Sequence, residues 1–466
     1  MASGDVNVYQ RQQLINREVV TKWKSLPGLV DKLHWDKDKA AEIGAQNNTG
    51  KAMQYRRPSY VGVGITETTD FSTRDTSTDL SSSNLIPNYV QTIDAVGNMY
   101  IQYKVETNLQ FSLQDLMYWI TDKDKDLRFL DTAIAQLKDQ VSLASGNTLA
   151  RWVGQTVELD TAYSTAGQNV ISSLGRAKKV MLSRRGTQEA KRKIALFNMD
   201  VIRAIAPSAA SLFNYGRTDS IQGLQEAGFR PGELDLYGFS ASESALLPDV
   251  VIPSTTAWPT TVNLSAAWGA SGAWVDTQTI AVTGLQASTT FAPGFSIYVA
   301  GDYWTVPGVG TWDFTNKTWS SRKSTKVLAT YTVAAAFTSD SSGNATISVR
   351  EARIYDGPFA NVTGTAQIAS TTVVGVVGQT ASAQTITPGF LFDPDCVLAV
   401  SPKVKVPTIG TKSITGSVGG FNYAIVQQVW PGQLQEITKL IGFFGLVVPV
   451  PEGCVKFYSD IAGTLV

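Results

Sequence analysis

DKDLRFLDTAIAQLKDQVSLASGNTLARWVGQT, residues 124–156, is the stretch whose reading decides the fold. Leu127, Leu130, Ile134, Leu137, Val141 and Ala144 recur at steps of three and four, which on a helix places them along one stripe. Arg128, Asp131, Ala135, Lys138 and Ser142 keep the same rhythm on the other side, so that face is expected to stay wet. Asp122, Asp124 and Asp126 stand where a helix N-terminus favours carboxylates. At Ser145-Gly146-Asn147 the stripe loses register, then resumes on Leu149, Trp152 and Val153, which reads as a slight bend rather than an end. About thirty residues at roughly 1.5 Å each make a rod of about 45 Å. Such a rod needs neighbours along its whole length.

The rest of the 466 residues has room for several domains and a core that needs no staples. Lys plus Arg and Asp plus Glu number 39 each, so no global charge points to nucleic acid or an anionic membrane. Only 17 % of residues are charged, a composition that suits a chain covered by other chains, and one shared by β-rich secreted proteins. Cys396 and Cys454 are the only cysteines; without a CxxC or a secretory signal, free thiols are expected rather than a pair. The longest apolar run, Leu440 to Val450, is interrupted by Gly442, Gly445 and Pro449 and reads as a core strand, not a membrane span.

Taken in order, residues 1–40 read as an arm, with an amphipathic helix from Tyr9 to Trp23 that Pro27-Gly28 breaks. Residues 41–110 are rich in Gly, Thr, Ser and Asn, and Thr66 to Asn84 has few large apolar side chains. Such a stretch cannot bury itself and is either disordered or an extended hairpin lying on a neighbour. Tyr100 to Val105 is expected as a returning strand and Phe111 to Ile120 as a short helix. The rod and a second helix, Val170 to Ser183, fill residues 111–186. A buried strand at Lys193 to Phe197, a helix at Met199 to Phe213 and a turn-rich lead to the strand Asp249–Ile252 fill residues 187–253. From 254 to 388 helical periodicity vanishes. Thr279–Val282, Phe295–Val299, Ala329–Val333 and Thr346–Val349 alternate with period two between turns such as Ser342-Gly343-Asn344, the pattern of a small barrel or sandwich inserted in a parent domain. Residues 389–466 return to apolar strands, with a short helix expected at Pro431 to Leu440.

Catalytic constellations are sought in vain. His34 is the one histidine, which removes the usual Ser-His-Asp and Cys-His arrangements and His-rich zinc sites unless it serves itself. Gly44 to Lys51 has the wrong spacing for a phosphate loop and carries Ala52 where Ser or Thr would bind magnesium. Gly62-Val63-Gly64 lacks the third glycine of a dinucleotide fingerprint. No carboxylate pair has a reason for a raised pKa, and neither a cofactor nor a metal site is indicated. Two features rise above background. Arg176, Lys178, Lys179, Arg184, Arg185, Lys191, Arg192, Lys193 and Arg203 gather against only Glu189 and Asp200. They suit a solvated helix end and loop, or acidic groups of another subunit, ahead of phosphate backbones met through sequence-independent attraction. Trp304, Trp312, Phe314 and Trp319 share a Gly/Thr/Asn-rich loop. Exposed, they stack on sugars or anchor a partner; folded back, they plug the small barrel.

The order of these parts resembles the major capsid fold of tailed bacteriophages and herpesviruses, and within it the short-tailed-phage coat proteins that carry an inserted β-barrel. Leu113-Gln114-Asp115-Leu116 is similar to the Asp-Leu segment before that family's spine helix. Gly238-Phe239, then Leu247-Pro248 and Val250, resemble its Gly-Phe…Pro…Val passage ahead of the insertion. Thr279 to Gly284 and Gly294-Phe295-Ser296-Ile297 to Gly301 resemble the first strands of the insertion, and Ile441-Gly442-Phe443-Phe444-Gly445 the closing apolar strand. The Trp-rich loop Tyr303 to Lys326 is longer and differently composed than the family's pattern.

The resemblance implies an α+β fold with N-terminal arm, extended loop, spine-helix peripheral domain and axial domain, plus an inserted all-β barrel. It implies a structural, non-enzymatic subunit assembling as hexamers and pentamers into an icosahedral head around double-stranded DNA. Scaffolding and portal proteins, a decoration protein and the packaged DNA are the implied partners, with no membrane. The implied location is the virion, after synthesis in the host bacterial cytoplasm. On that reading Arg176, Lys178, Lys179, Arg184, Arg185, Lys191, Arg192 and Lys193 are candidates for the DNA-facing inner surface. Thr66, Asp70, Phe71 and Arg74, with Trp304, Trp312 and Trp319, are candidate contacts between subunits. The alternative is a carbohydrate-binding or adhesion protein using the Trp-rich β-region.

Overall fold

A computed structural model of the chain describes residues 13, 16–24, 28–37, 53–57, 95–111, 127–158, 167–185, 193–198, 234–236, 239–244, 246–313, 318–404, 412–430 and 435–458. The rod is one helix, Leu127–Trp152, running without interruption through Gly146. Ile134, Leu137, Val141, Leu149 and Val153 are buried, as their spacing predicts. The register break has a steric cause. A Cβ at Gly146 would stand 2.8 Å from the ring of Pro248, so only glycine lets that loop approach the helix.

The expectation of a wet opposite face is corrected. Lys138 and Ser142 are only 2 % and 3 % exposed. A helix over 16–24 and the 3-10 turn Leu29–Lys32 cover that side. Lys138 Nζ donates to the Trp23 carbonyl at 2.6 Å and to Asp31 Oδ2 at 2.6 Å. A buried ammonium is tolerable when its hydrogens are met and its stem packs on apolar surface. The arm, over these residues, is part of the core: Val19, Trp23, Leu29 and Val30 are buried, and Trp23 stacks on Phe421 with ring centroids 5.0 Å apart.

Among the described residues, three six-stranded sheets pack with the helices. In the first, Lys412–Val418, Phe421–Trp430 and Gln435–Val447 run antiparallel. Tyr103–Phe111 pairs along Gln435–Val447, and Leu398–Val400 with His34–Trp35 completes the sheet. Two sequence expectations fail here. Residues 435–440 belong to a strand, not to a helix at Pro431 to Leu440. Thr438 and Leu440 alternate inward while Ile437 and Lys439 face out, and pairing with Phe421–Trp430 outweighs a weak local helical signal. Phe111 closes a strand, and the rest of the helix expected to Ile120 lies outside the described residues; the returning strand begins at Tyr103 rather than Tyr100.

The second sheet orders Thr156–Glu158, Cys454–Tyr458, Gly389–Phe392, Ile194–Phe197, Phe239–Glu243 and Leu234–Leu236, with parallel pairs at the first step and between Ile194–Phe197 and Phe239–Glu243. Its last two strands are absent from the sequence reading. Cys396 and Cys454 are both buried.

The third sheet orders Asn263–Leu264, Thr277–Thr283, Ala345–Arg350, Thr318–Val333, Ser296–Asp313 and Val374–Val376. Its two edges meet. Asn263 bridges Val373, Val374 N donates to Val262 O at 2.8 Å, and Leu264 N donates to Thr372 O at 2.9 Å, so the sheet closes into a ring. All four strands expected from period-two alternation lie in it, with Ile280, Val282, Ile297, Val299, Tyr331, Val333, Ile347 and Val349 buried. The chain enters and leaves the ring through a clasp in which Val250–Ile252 pairs antiparallel with Gln384–Ile386.

Candidate functional site

The second helix, Gly167–Arg185, lies between the second sheet and the ring, and the expected basic face divides there. Arg176 and Lys179 are exposed, Lys178 and Lys193 half-buried. Arg184 points the other way. Its side chain is 1 % exposed, forms an ion pair with the equally buried Glu351, and lies over the Trp304 ring at 4.3 Å from the centroid. Arg184 is therefore corrected from surface cation to interior tie. The position repeats the helical period of the buried Ala177, Val180 and Met181, which spacing alone could have shown. Side chains of Arg185, Lys191, Arg192 and Arg203 lie outside the described residues.

The tryptophans divide as well. Trp304 is 1 % exposed, packs against Tyr331 with centroids 5.4 Å apart, and donates its indole N–H to Gln155 Oε1. It plugs the ring wall and is corrected from the set of candidate subunit contacts. Trp312 and Trp319 face one another in the register of the long hairpin Ser296–Asp313/Thr318–Val333, and their side chains lie outside the described residues. Thr66, Asp70, Phe71 and Arg74 also lie outside them.

Of the segment expected as an extended loop, the structure describes the base. Met53–Arg57 pairs antiparallel with Ala95–Met99. Tyr55 donates to Asp276 Oδ1 at 2.7 Å; burial, with that carboxylate alongside, pushes its phenol well up. Arg57 pairs with the buried Glu452 and lies over the Trp274 ring at 3.4 Å. Beside these anchors Val96 and Tyr100 are 54 % and 52 % exposed. The root of the loop is thus fixed in the core while its flank offers apolar surface to solvent.

Where helix, ring and second sheet meet, hydroxyls converge on one amine. Lys456 Nζ donates to Ala150 O at 3.1 Å, Gly294 O at 2.8 Å and Thr332 Oγ1 at 2.7 Å. Thr332 passes its own hydrogen to Val153 O at 2.6 Å and contacts Ser296 Oγ at 3.3 Å; Ser296 reaches Thr156 Oγ1 at 2.6 Å. Burial holds the Lys456 amine well below the usual lysine range. Its contribution to stability is then complete above the unfolded value of about 10.4 and is lost as pH falls toward the folded value, because the unfolded chain takes up a proton first. Lys456→Met is expected to flatten the rise in unfolding midpoint with pH just below the unfolded value of about 10.4; a variant that keeps the full slope would refute the assignment.

Elsewhere the perturbed groups are bound into the frame. Asp302 is raised by burial, against the pull of Arg353, whose Nε donates to it at 3.1 Å, and of the Tyr331 hydroxyl at 2.5 Å. Burial also brings Arg322 and Arg350 down to about 10, and Arg350 lies over Trp152 at 3.4 Å. Among the described residues no group of three or more His, Cys, Asp or Glu is placed to hold a metal, and no helix is long and apolar enough to cross a membrane.

No protein-family model matches the chain, and no curated protein matches it in sequence. Among solved structures its likeness is to phage and virus-like particles. A structure from Mycobacterium phage Che8 is 8 % identical with a TM-score of 0.42, over 92 % of this chain and 91 % of that one. The capsid structure of cyanophage P-SCSP1u is 11 % identical with a TM-score of 0.38, over 88 % and 84 %. A virus-like particle from Pyrococcus furiosus is 5 % identical with a TM-score of 0.36, over 96 % and 99 %. Scores this low carry neither residue roles nor function across, so both are argued from the chain's own residues.

Proposed function

We propose that the chain is a major capsid protein of the tailed-phage type, a structural subunit that assembles as hexamers and pentamers into an icosahedral head around double-stranded DNA. The observation that carries the reading is the extended loop. Its base is rooted by Tyr55–Asp276 and Arg57–Glu452, while Thr66 to Asn84 is too poor in apolar side chains to build a core of its own. A rooted segment of that kind gains burial by lying on another copy. The long helix, the second helix and the ring clasped between Val250–Ile252 and Gln384–Ile386 follow in the order that the resemblance implies. Interfaces of ordinary size bury roughly 1,600 Å², and many such contacts per subunit sum to a tough shell. Scaffolding and portal proteins are the expected assembly partners, and a decoration protein is compatible with the exposed surface. Arg176, Lys178, Lys179 and Lys193 remain the DNA-facing candidates. On this reading its role is structural rather than enzymatic.

Deleting Thr66 to Asn84 is the test. The soluble subunit should keep its unfolding midpoint, and electron microscopy of material co-expressed with its scaffold should show closed shells for the intact chain and none for the deletion. Loss of the subunit's own fold would mean that the loop belongs to the monomer. The carbohydrate-binding alternative loses Trp304, which is buried, and retains only the hairpin pair Trp312 and Trp319.

A further inference from the structure

Between the second helix and the ring lies an open cleft of about 680 Å³, within the roughly 300–1,000 Å³ usual for small-molecule sites. Arg176 and Lys179 line it from the helix and Lys326 from the ring, and none of the described residues lining it is acidic. Among the described residues these three cations, all exposed, have no carboxylate partner. Lys326 is held at φ 58°, in the left-handed region, with its N–H donating to Ser324 Oγ at 3.0 Å. The buried Thr156 and Thr330 form part of the floor. The Thr156 hydroxyl contacts Ser296 Oγ at 2.6 Å, and the Thr330 hydroxyl donates to Gly154 O at 2.9 Å. The half-buried ring of Tyr298 stands in the wall.

We infer that this cleft binds a compact phosphate-bearing anion, of nucleotide size, through Arg176, Lys179 and Lys326. Three cations on one concavity, with no carboxylate partner among the described residues, favour a multiply charged ligand. Phosphate oxygens have acceptor capacity enough for all three cations. The tyrosine wall offers a face for a base to stack on. A duplex lies across such a cleft without placing phosphates on its floor, so the ligand is a free nucleotide or a flexible single strand. The site belongs to the folded subunit and stands whether or not shells form.

The test uses the unassembled full-length protein and fluorescence anisotropy of a labelled nucleoside triphosphate, with inorganic pyrophosphate, a short single-stranded oligonucleotide, duplex DNA and polyglutamate as competitors. The label should bind and pyrophosphate should displace it. Arg176→Gln, Lys179→Gln and Lys326→Asn should each weaken binding about tenfold, or ~1.4 kcal/mol, with unchanged unfolding midpoints in the absence of ligand. Ligand should raise the midpoint of the wild type but not of the triple variant. An oligonucleotide that competes better than the mononucleotide supports the site and names a single strand as the phosphate source; equal competition supports it and names the free nucleotide. Binding unaffected by the three substitutions, displacement by polyglutamate or duplex as effective as by pyrophosphate, or no binding at all would overturn the inference. Shell formation by the same variants, read by electron microscopy, is scored separately, so failure of the cleft and failure of the capsid reading are told apart.

Discussion

Glu351→Leu is expected to cost about 3–5 kcal/mol of stability, because it strips the carboxylate from a guanidinium that stays in the interior. Arg184 and Glu351 are 1 % and 0 % exposed at their side chains, and the pair joins the second helix to the ring. Gly154 packs directly on Glu351. The double variant Arg184→Met, Glu351→Leu removes both charges and keeps much of the volume. It should recover most of the loss, since a buried pair contributes little beyond its own desolvation. Chemical denaturation of the wild type, both single variants and the double variant gives the coupling directly. If the double variant is as unstable as Glu351→Leu, the pair does more than neutralise itself.

Trp304→Ala should cost a similar amount, about 3–5 kcal/mol for a large aromatic removed from a core. Two losses combine: the packing against Tyr331 and Arg184, and the indole hydrogen bond to Gln155. Trp304→Phe separates them. It keeps most of the packing and leaves the buried Gln155 Oε1 without its donor, which by itself costs about 1–3 kcal/mol. Both variants should lose stability without any change in glycan or partner binding. A folded Trp304→Ala protein of wild-type stability that had lost a binding activity would return this residue to the surface.

Much of the fold could be read in the sequence where one periodicity ran long enough to dominate. The rod was expected at 124–156 and runs Leu127–Trp152; the second helix was expected at 170–183 and runs Gly167–Arg185. The ring strands were legible because period-two alternation between glycine turns has few other solutions. The failures share a cause. Polar spacing along the rod marked Lys138 and Ser142 as outward, but the arm covers that face, and a lysine with two acceptors can be interior. The helix at Pro431 to Leu440 failed because strand pairing is a property of the partner, not of the local window.

At the candidate site, sequence found the basic cluster but not its division. Arg184 differs from Lys179 in the partner that waits for it, Glu351, which lies far off in the chain. Lys326, the third cation of the cleft, stood outside the cluster because only the folded ring brings it beside the helix. Lys456 gave no sequence signal at all, since nothing near it in the chain marks a lysine as buried.

The clasp between Val250–Ile252 and Gln384–Ile386 has a bearing on how such a chain changes over time. Because the ingoing and outgoing strands are hydrogen-bonded to each other, the parent body sees a fixed gap whatever length of polypeptide lies beyond it. Added length there incurs only the slow logarithmic penalty of a longer closed loop. The ring's outer turns and its long hairpin are therefore free to lengthen, shorten or acquire new surface chemistry, while the residues that dock on the second helix hold still.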